Sequence, residues 1–397
     1  MSSQTPTAPT STRLASLDAL RGFDMFWIMG ASTVLGAILP SLATLTGNDA
    51  FSQARSQLNH VEWDGFHFID LIFPLFLFMI GVSIPYSFAK RLARGDSKIR
   101  LYGHVLLRVA ILILLGMTIN GRLLALEPAK FQITYSVLQM LALGYLVASI
   151  LFLNLRLGGQ IAATVAMLVT YWALSAFVPG PGHVIGQFKP HCNFGDWLND
   201  WILRDLQGPW QFGWILGILG HASTAMLGVF AGRLLRSSAT NARKVEVLVL
   251  LGGACLLLGY AWSGWLARDF PGVTLFGIEW QQWPVWYPIV KNRWTSTFAL
   301  YAGGWSYLLL GLFYLVIDVW GWRRWAAGFM AIGANSIFAY MAWGLGSSAF
   351  RQAADVLLGG LRQYTGQWYE AIAWAGAMAI LWILLGYMYR NKTFVRV

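Results

Sequence analysis

The stretch Asn59–Gly81, NHVEWDGFHFIDLIFPLFLFMIG, sets His60, Glu62, Asp64, His67 and Asp70 within eleven residues and then turns wholly apolar. The apolar character continues through VSIPYSFA to Ala89, which gives a segment of the roughly 20 residues a helix needs to cross a bilayer. Residues 68–89 therefore predict a membrane span. Comparable segments lie at 24–46, 101–120, 132–153, 159–179, 211–232, 245–267, 295–318, 325–346 and 370–389. With 57% hydrophobic and 11% charged residues among 397, and with 21 Trp and 24 Phe, the chain is too apolar for a water-soluble domain. The expected fold is an all-α polytopic membrane helical bundle of about ten transmembrane helices.

Orientation follows from Lys and Arg, which are retained on the cytoplasmic side near span ends. With the N-terminus inside, 18 of the 28 basic residues but 5 of the 17 acidic ones fall on cytoplasmic segments, so both termini are expected to be cytoplasmic. The net charge of +11 is then a matter of topology and of a landing surface for a polyanionic ligand, and no nucleic-acid partner is expected. Residues 1–16, opening MSSQTPTAPTST, read as a disordered cytoplasmic tail without the apolar core of a signal peptide; residues 17–397 read as one transmembrane domain. Cys192 in an outer loop and Cys255 inside a span lie at different depths and are not expected to pair.

Chemistry is expected in the long outer segments 47–67, 180–210 and 268–294. If residues 60–68 are helical, His60, Asp64 and His67 share one face. A carboxylate four residues from a histidine can fix its tautomer and raise its basicity, as a general base requires; the same three residues resemble metal-ligand spacing, or they mark the water end of a span. Asp70 begins the apolar run and should turn into the bundle or cap its helix. In GIEWQQWPVWYPIVKNRWTS, residues 277–296, Glu279 and Trp283 suit a sugar ring, which aromatic faces stack against and polar groups bind; an interfacial aromatic belt is the alternative. On the other side, Arg21 of LDALRG and Arg108 of the third span either snorkel to the surface or face phosphate. Asn335 and Ser336 in IGANSIFAY either join helices or line a polar tunnel.

Taken together, SLDALRGFDMFWIMG, HVEWDGFHFIDLIFPLFLFMIG, SVLQ, VKNRWTSTFALY, GANSIFAYM and YRNKTF resemble the transmembrane acyltransferase family of heparan-α-glucosaminide N-acetyltransferase, in order over nearly the whole chain. The resemblance implies that acetyl-CoA is taken from the cytosol as co-substrate and that the amine of an amino sugar is acetylated on the far side of a bacterial inner membrane. The family's essential histidine falls on His60, with Asp64 or Asp70 orienting it, as general base or as acetyl carrier. Trp63, Glu279, Trp283, Lys291, Asn292 and Asn335 are expected at the sugar; Arg21, Arg108, Asn335 and Ser336 at the cofactor. No metal is expected. The lipid bilayer, acetyl-CoA and an amino sugar are the expected partners, and a homodimer is a candidate assembly. The family's catalytic asparagine near the outer end of the first span has no match here, where Ser32 stands nearby, so its contact is expected from another group such as Asn335. His67 has no family counterpart. No large luminal N-terminal domain is expected, and with it free glucosamine or a short amino-sugar oligomer is the expected substrate. A secondary transporter for an amino sugar and a membrane O-acyltransferase are the rival readings.

Overall fold

The computed structural model describes residues 14–120, 123, 136–182, 188–190, 192–206, 214–270, 272, 274–275, 278–279 and 286–395. Helices dominate: α1 (Ala15–Phe26), a wide π turn at Trp27–Ala31, α2 (Ser32–Thr46), α3 (Ala50–Ser56), α4 (Phe68–Leu92), α5 (Lys98–Ile119), α6 (Val137–Asn154), α7 (Leu157–Phe177) and α8 (Phe194–Leu203). They continue with α9 (Trp214–Arg236), α10 (Asn241–Trp262), α11 (Trp265–Asp269), α12 (Ser296–Phe313), α13 (Ala327–Ala334), α14 (Ser336–Leu358), α15 (Arg362–Thr365) and α16 (Tyr369–Arg390). A two-residue hairpin pairs β1 (Thr274–Leu275) with β2 (Ile278–Glu279) in antiparallel register, Thr274 opposite Glu279. Among the described residues, nine segments are long and apolar enough to cross a membrane. The last, Ser336–Arg390, holds two long helices, α14 and α16, packed on each other, and the architecture is the expected polytopic bundle.

Two boundaries differ from the sequence expectation, for one reason. The first long segment starts at Ala15, nine residues before the expected 24 and inside the expected tail, because Asp18 and Asp24 are buried against other helices instead of facing lipid. The ninth runs to Leu358 because Arg351 is ion-paired with Asp355 and Glu370, which neutralises charges that cut short an apolar count. Both segments are also broken. Gly30 adopts φ +111° within the π turn, and Asn335 interrupts α13 and α14 with ψ 37°.

The pair α4–α9 forms the centre. Gly81, Gly228 and Gly232 let the two backbones touch: a Cβ at Gly228 would stand 2.0 Å from the Phe78 carbonyl oxygen, and one at Gly81 would stand 1.9 Å from that of Ala225. Small residues at such crossings let membrane helices pack by dispersion, lipid offering no hydrophobic drive. The start of α1 and the residues after α16 lie at the same end of the bundle: the Ser16 amide donates to Asp318, while Thr393 and Val395 bond Asn335. Both expected cysteine positions hold free thiols.

Candidate active site

Residues 60–67 are not helical; α4 starts at Phe68. Gly65, at φ +148°, turns the chain where a side chain would collide with Val61, 2.8 Å from a built Cβ, and this separates three residues that a helix would have aligned. Asp64 faces away from His60: its carboxylate accepts the Ile289 amide at 3.0 Å, and the Gly65 amide donates to the Ile289 carbonyl at 3.0 Å. His67 Nδ1 stands 2.7 Å from the Asn59 carbonyl. The shared face expected for His60, Asp64 and His67 is therefore absent, and so is the ligand set built on it.

Asp70 takes the place expected for either carboxylate. It is 1% exposed, and its Oδ1 lies 2.7 Å from His60 Nδ1. Its Oδ2 accepts the His67 amide at 3.1 Å, capping α4, and the Val61 amide at 3.3 Å. Capping and orienting, two alternatives in the sequence, are thus performed by the two oxygens of one carboxylate. Lys291 Nζ completes the cluster, 3.1 Å from Asp70 Oδ1 and 2.7 Å from His60 Nδ1. Burial pulls the Lys291 ammonium below the usual lysine range, and the Asp70 charge pulls it back up. His60, at 59% exposure, is the solvent-accessible member of the pair it forms with Asp70.

Lys291 is held by a strained turn. Trp294, three residues later, has φ +52°, a conformation that costs a bulky residue about 1–2 kcal/mol. Its amide bonds the Lys291 carbonyl at 2.9 Å and its indole N–H donates to Thr224 at 3.0 Å, two contacts that hold it there.

The cluster sits at the mouth of a cavity of about 740 Å³, within the size range of small-molecule sites. His60, Glu62, Lys291 and Asn292 form the polar rim; Phe73, Phe76, Met140, Leu141, Trp294 and Tyr340 form the depth, with Ser32 on the wall. Beneath it, towards the end that holds the chain termini, Arg108 lies 4.6 Å over the Tyr145 ring and Arg233 lies 4.5 Å over Phe152. Among the described residues neither arginine is ion-paired.

Residues 13–149, which contain His60, Asp70 and the first three long helices, match the family described as Domain of unknown function (DUF5009). The chain is 26% identical over 400 residues to a heparan-alpha-glucosaminide N-acetyltransferase of Homo sapiens, covering 85% of this chain and 55% of the relative. To the protein of the same name from Mus musculus it is 25% identical over 332 residues, 71% of this chain and 48% of the relative. Over most of its length this chain is therefore similar to heparan-alpha-glucosaminide N-acetyltransferases. It spans about half the length of these curated relatives.

Of the residues singled out from the resemblance to the heparan-alpha-glucosaminide N-acetyltransferases, His60, Asp70, Lys291 and Asn292 come together here. Trp63 does not line the cavity: its indole N–H donates to the Phe188 carbonyl at 2.8 Å under the Arg293 guanidinium, bracing the outer loops. Asn335 is committed elsewhere, its amide donating to the Thr393 carbonyl at 3.1 Å and its oxygen accepting the Val395 amide at 2.9 Å; neither it nor Ser336 lines the cavity. Arg21 donates to Ser83 and lies 3.8 Å from Asp18. Trp283 lies outside the described residues, and so does the side chain of Glu279. Among the ionisable residues lining the cavity, Glu62 and His221 were given no role from the sequence; the one available signal for His221 was an ionisable side chain within an apolar span.

Proposed function

We propose that this chain is a membrane-embedded N-acetyltransferase that moves the acetyl group of cytosolic acetyl-CoA to the amine of glucosamine or a terminal glucosaminide on the periplasmic side of a bacterial inner membrane. The observation that supports it most is the His60–Asp70–Lys291 cluster at the rim of the cavity, built from motifs that the resemblance had already singled out. In this reading the amine nitrogen attacks the thioester carbonyl while His60 takes its proton. The carbon–sulfur bond then breaks, and the departing thiolate is protonated to the free thiol. Asp70 fixes the ring and offsets the imidazolium that forms; Lys291 keeps the carboxylate ionised. The acetyl-histidine route remains the second form of the same reaction, and direct attack is simpler because a thioester is already an activated acyl donor. Arg108 and Arg233, without carboxylate partners among the described residues, suit the CoA phosphates.

Purified protein given acetyl-CoA and glucosamine is expected to yield N-acetylglucosamine and free CoA thiol, and His60→Ala to lose at least about a hundredfold in kcat. Full turnover by that variant would remove His60 from the chemistry. The paired breaks at Gly30 and Asn335 favour a second reading, a secondary transporter for an amino sugar, since discontinuous helices facing each other are common in transporters. Sugar uptake into sealed vesicles without consumption of acetyl-CoA would select it.

A further inference from the structure

His221 stands on α9 about one helical turn beneath the cluster. Its neighbours show this depth: Trp294, three residues after Lys291, has its ring centroid 4.4 Å from the imidazole, and Phe73, three after Asp70, has its own at 6.4 Å. The side chain lines the cavity and is 4% exposed. It bonds the carbonyl of Gly217, one turn earlier on the helix, with Nδ1 the nitrogen nearer that glycine. Nε2 has no partner.

These facts fix what the ring can do. An unpaired imidazolium in an aromatic wall is strongly disfavoured, so the ring is neutral and owns one N–H. That hydrogen is used at Gly217, because a carbonyl can only accept. Nε2 therefore presents a lone pair to the cavity. Buried polar atoms in folded proteins are almost always satisfied, and the Asn120 amide nitrogen on the same wall is likewise buried with no partner among the described residues.

We propose that His221 is a specificity-determining acceptor that receives an uncharged N–H or O–H donor of the bound substrate. The inference rests on the acetyltransferase reading. Two parts of the substrate pair carry such donors: the amide N–H groups of the pantetheine arm and the hydroxyls of the sugar. His221→Phe keeps the aromatic contacts with Trp294 and Phe73 and removes the lone pair, whereas His221→Gln returns an acceptor oxygen to the Nε2 position.

The test is steady-state kinetics of wild type, His221→Phe and His221→Gln, with equilibrium binding of CoA and of glucosamine to each and thermal unfolding as a folding control. Loss of one buried hydrogen bond predicts that His221→Phe raises one KM and the matching dissociation constant about ten- to a hundredfold, and that His221→Gln recovers most of it. A rise for acetyl-CoA assigns the donor to the pantetheine amides, and a rise for glucosamine assigns it to the sugar. Should His221→Phe bind and turn over both substrates as wild type does, or fall in kcat alone, the proposal is overturned while the acetyltransferase reading stands. A poorly folded His221→Phe moves the comparison to His221→Leu and His221→Gln with the same criteria. Wild-type protein that transfers no acetyl group and binds no CoA overturns both.

Discussion

Lys291 holds an ammonium between a buried carboxylate and an exposed imidazole, and its titration can be followed from outside. Burial places it below the usual lysine value of 10.5, so with rising pH it loses its proton earlier than a solvated lysine. Between its own value and 10.5 the unfolded chain binds more protons than the folded one, so this group makes stability rise with pH across that window. Activity that needs the ammonium falls over the same range. The prediction is an alkaline limb in kcat/KM without a parallel fall in unfolding temperature, and a limb moved to higher pH in Lys291→Arg, whose guanidinium stays charged. An unmoved limb would assign the titration to another group. The polar character of this site was legible in the sequence, because a carboxylate at the edge of an apolar run must find partners. Which carboxylate orients His60 was not: the i, i+4 spacing of His60 and Asp64 matters only on a helix, and Gly65 ends that possibility. Lys291 could be reached only through the resemblance, since nothing in its neighbourhood of the chain mentions residue 60.

At the scale of elements, two junctions can be tested separately. A side chain at Gly228 must displace the α4 backbone at Phe78, and overpacking of this kind costs about 1–3 kcal/mol or more; Gly228→Leu is expected to lower the unfolding temperature in detergent and to misplace Asp70 relative to His221. Unchanged stability would show that the helices separate more easily than this contact allows. The Asn335 break is the second junction. Asn335→Ala removes both bonds to the C-terminal tail, each worth about 0.5–1.5 kcal/mol. A loss of stability with unaltered KM for acetyl-CoA and glucosamine is expected, whereas a raised KM would restore the binding role first read for this residue. Hydropathy located these elements but not their breaks, because an apolar count does not register a φ/ψ interruption that neighbouring helices stabilise.

For the whole molecule, the long helices among the described residues and the placement of the start of α1 and the end of α16 at one end of the bundle are those the charge pattern predicts. The direction of insertion is open to a direct measurement. In a Cys192→Ser background, Glu62→Cys is expected to react with a membrane-impermeant thiol reagent added to intact cells, and Ser237→Cys to react only after the membrane is opened. The reverse pattern would invert the proposed flow of acetyl groups. This scale was the most legible in the sequence, since bilayer thickness and the retention of positive charge act on segment length and composition, quantities that need no knowledge of which helices touch.

His60 and Lys291 are 231 positions apart, and that separation sets a schedule for biogenesis. Asp70 enters the membrane with the second long helix, while its cation arrives just before the eighth, after most of the chain has been synthesised. Until then the carboxylate has no Lys291 beside it, and a ribosome-bound intermediate must keep it protonated or near water. The segment 13–149 that matches the family model therefore holds His60 and Asp70 without their cation, which is delivered only when the late helices insert.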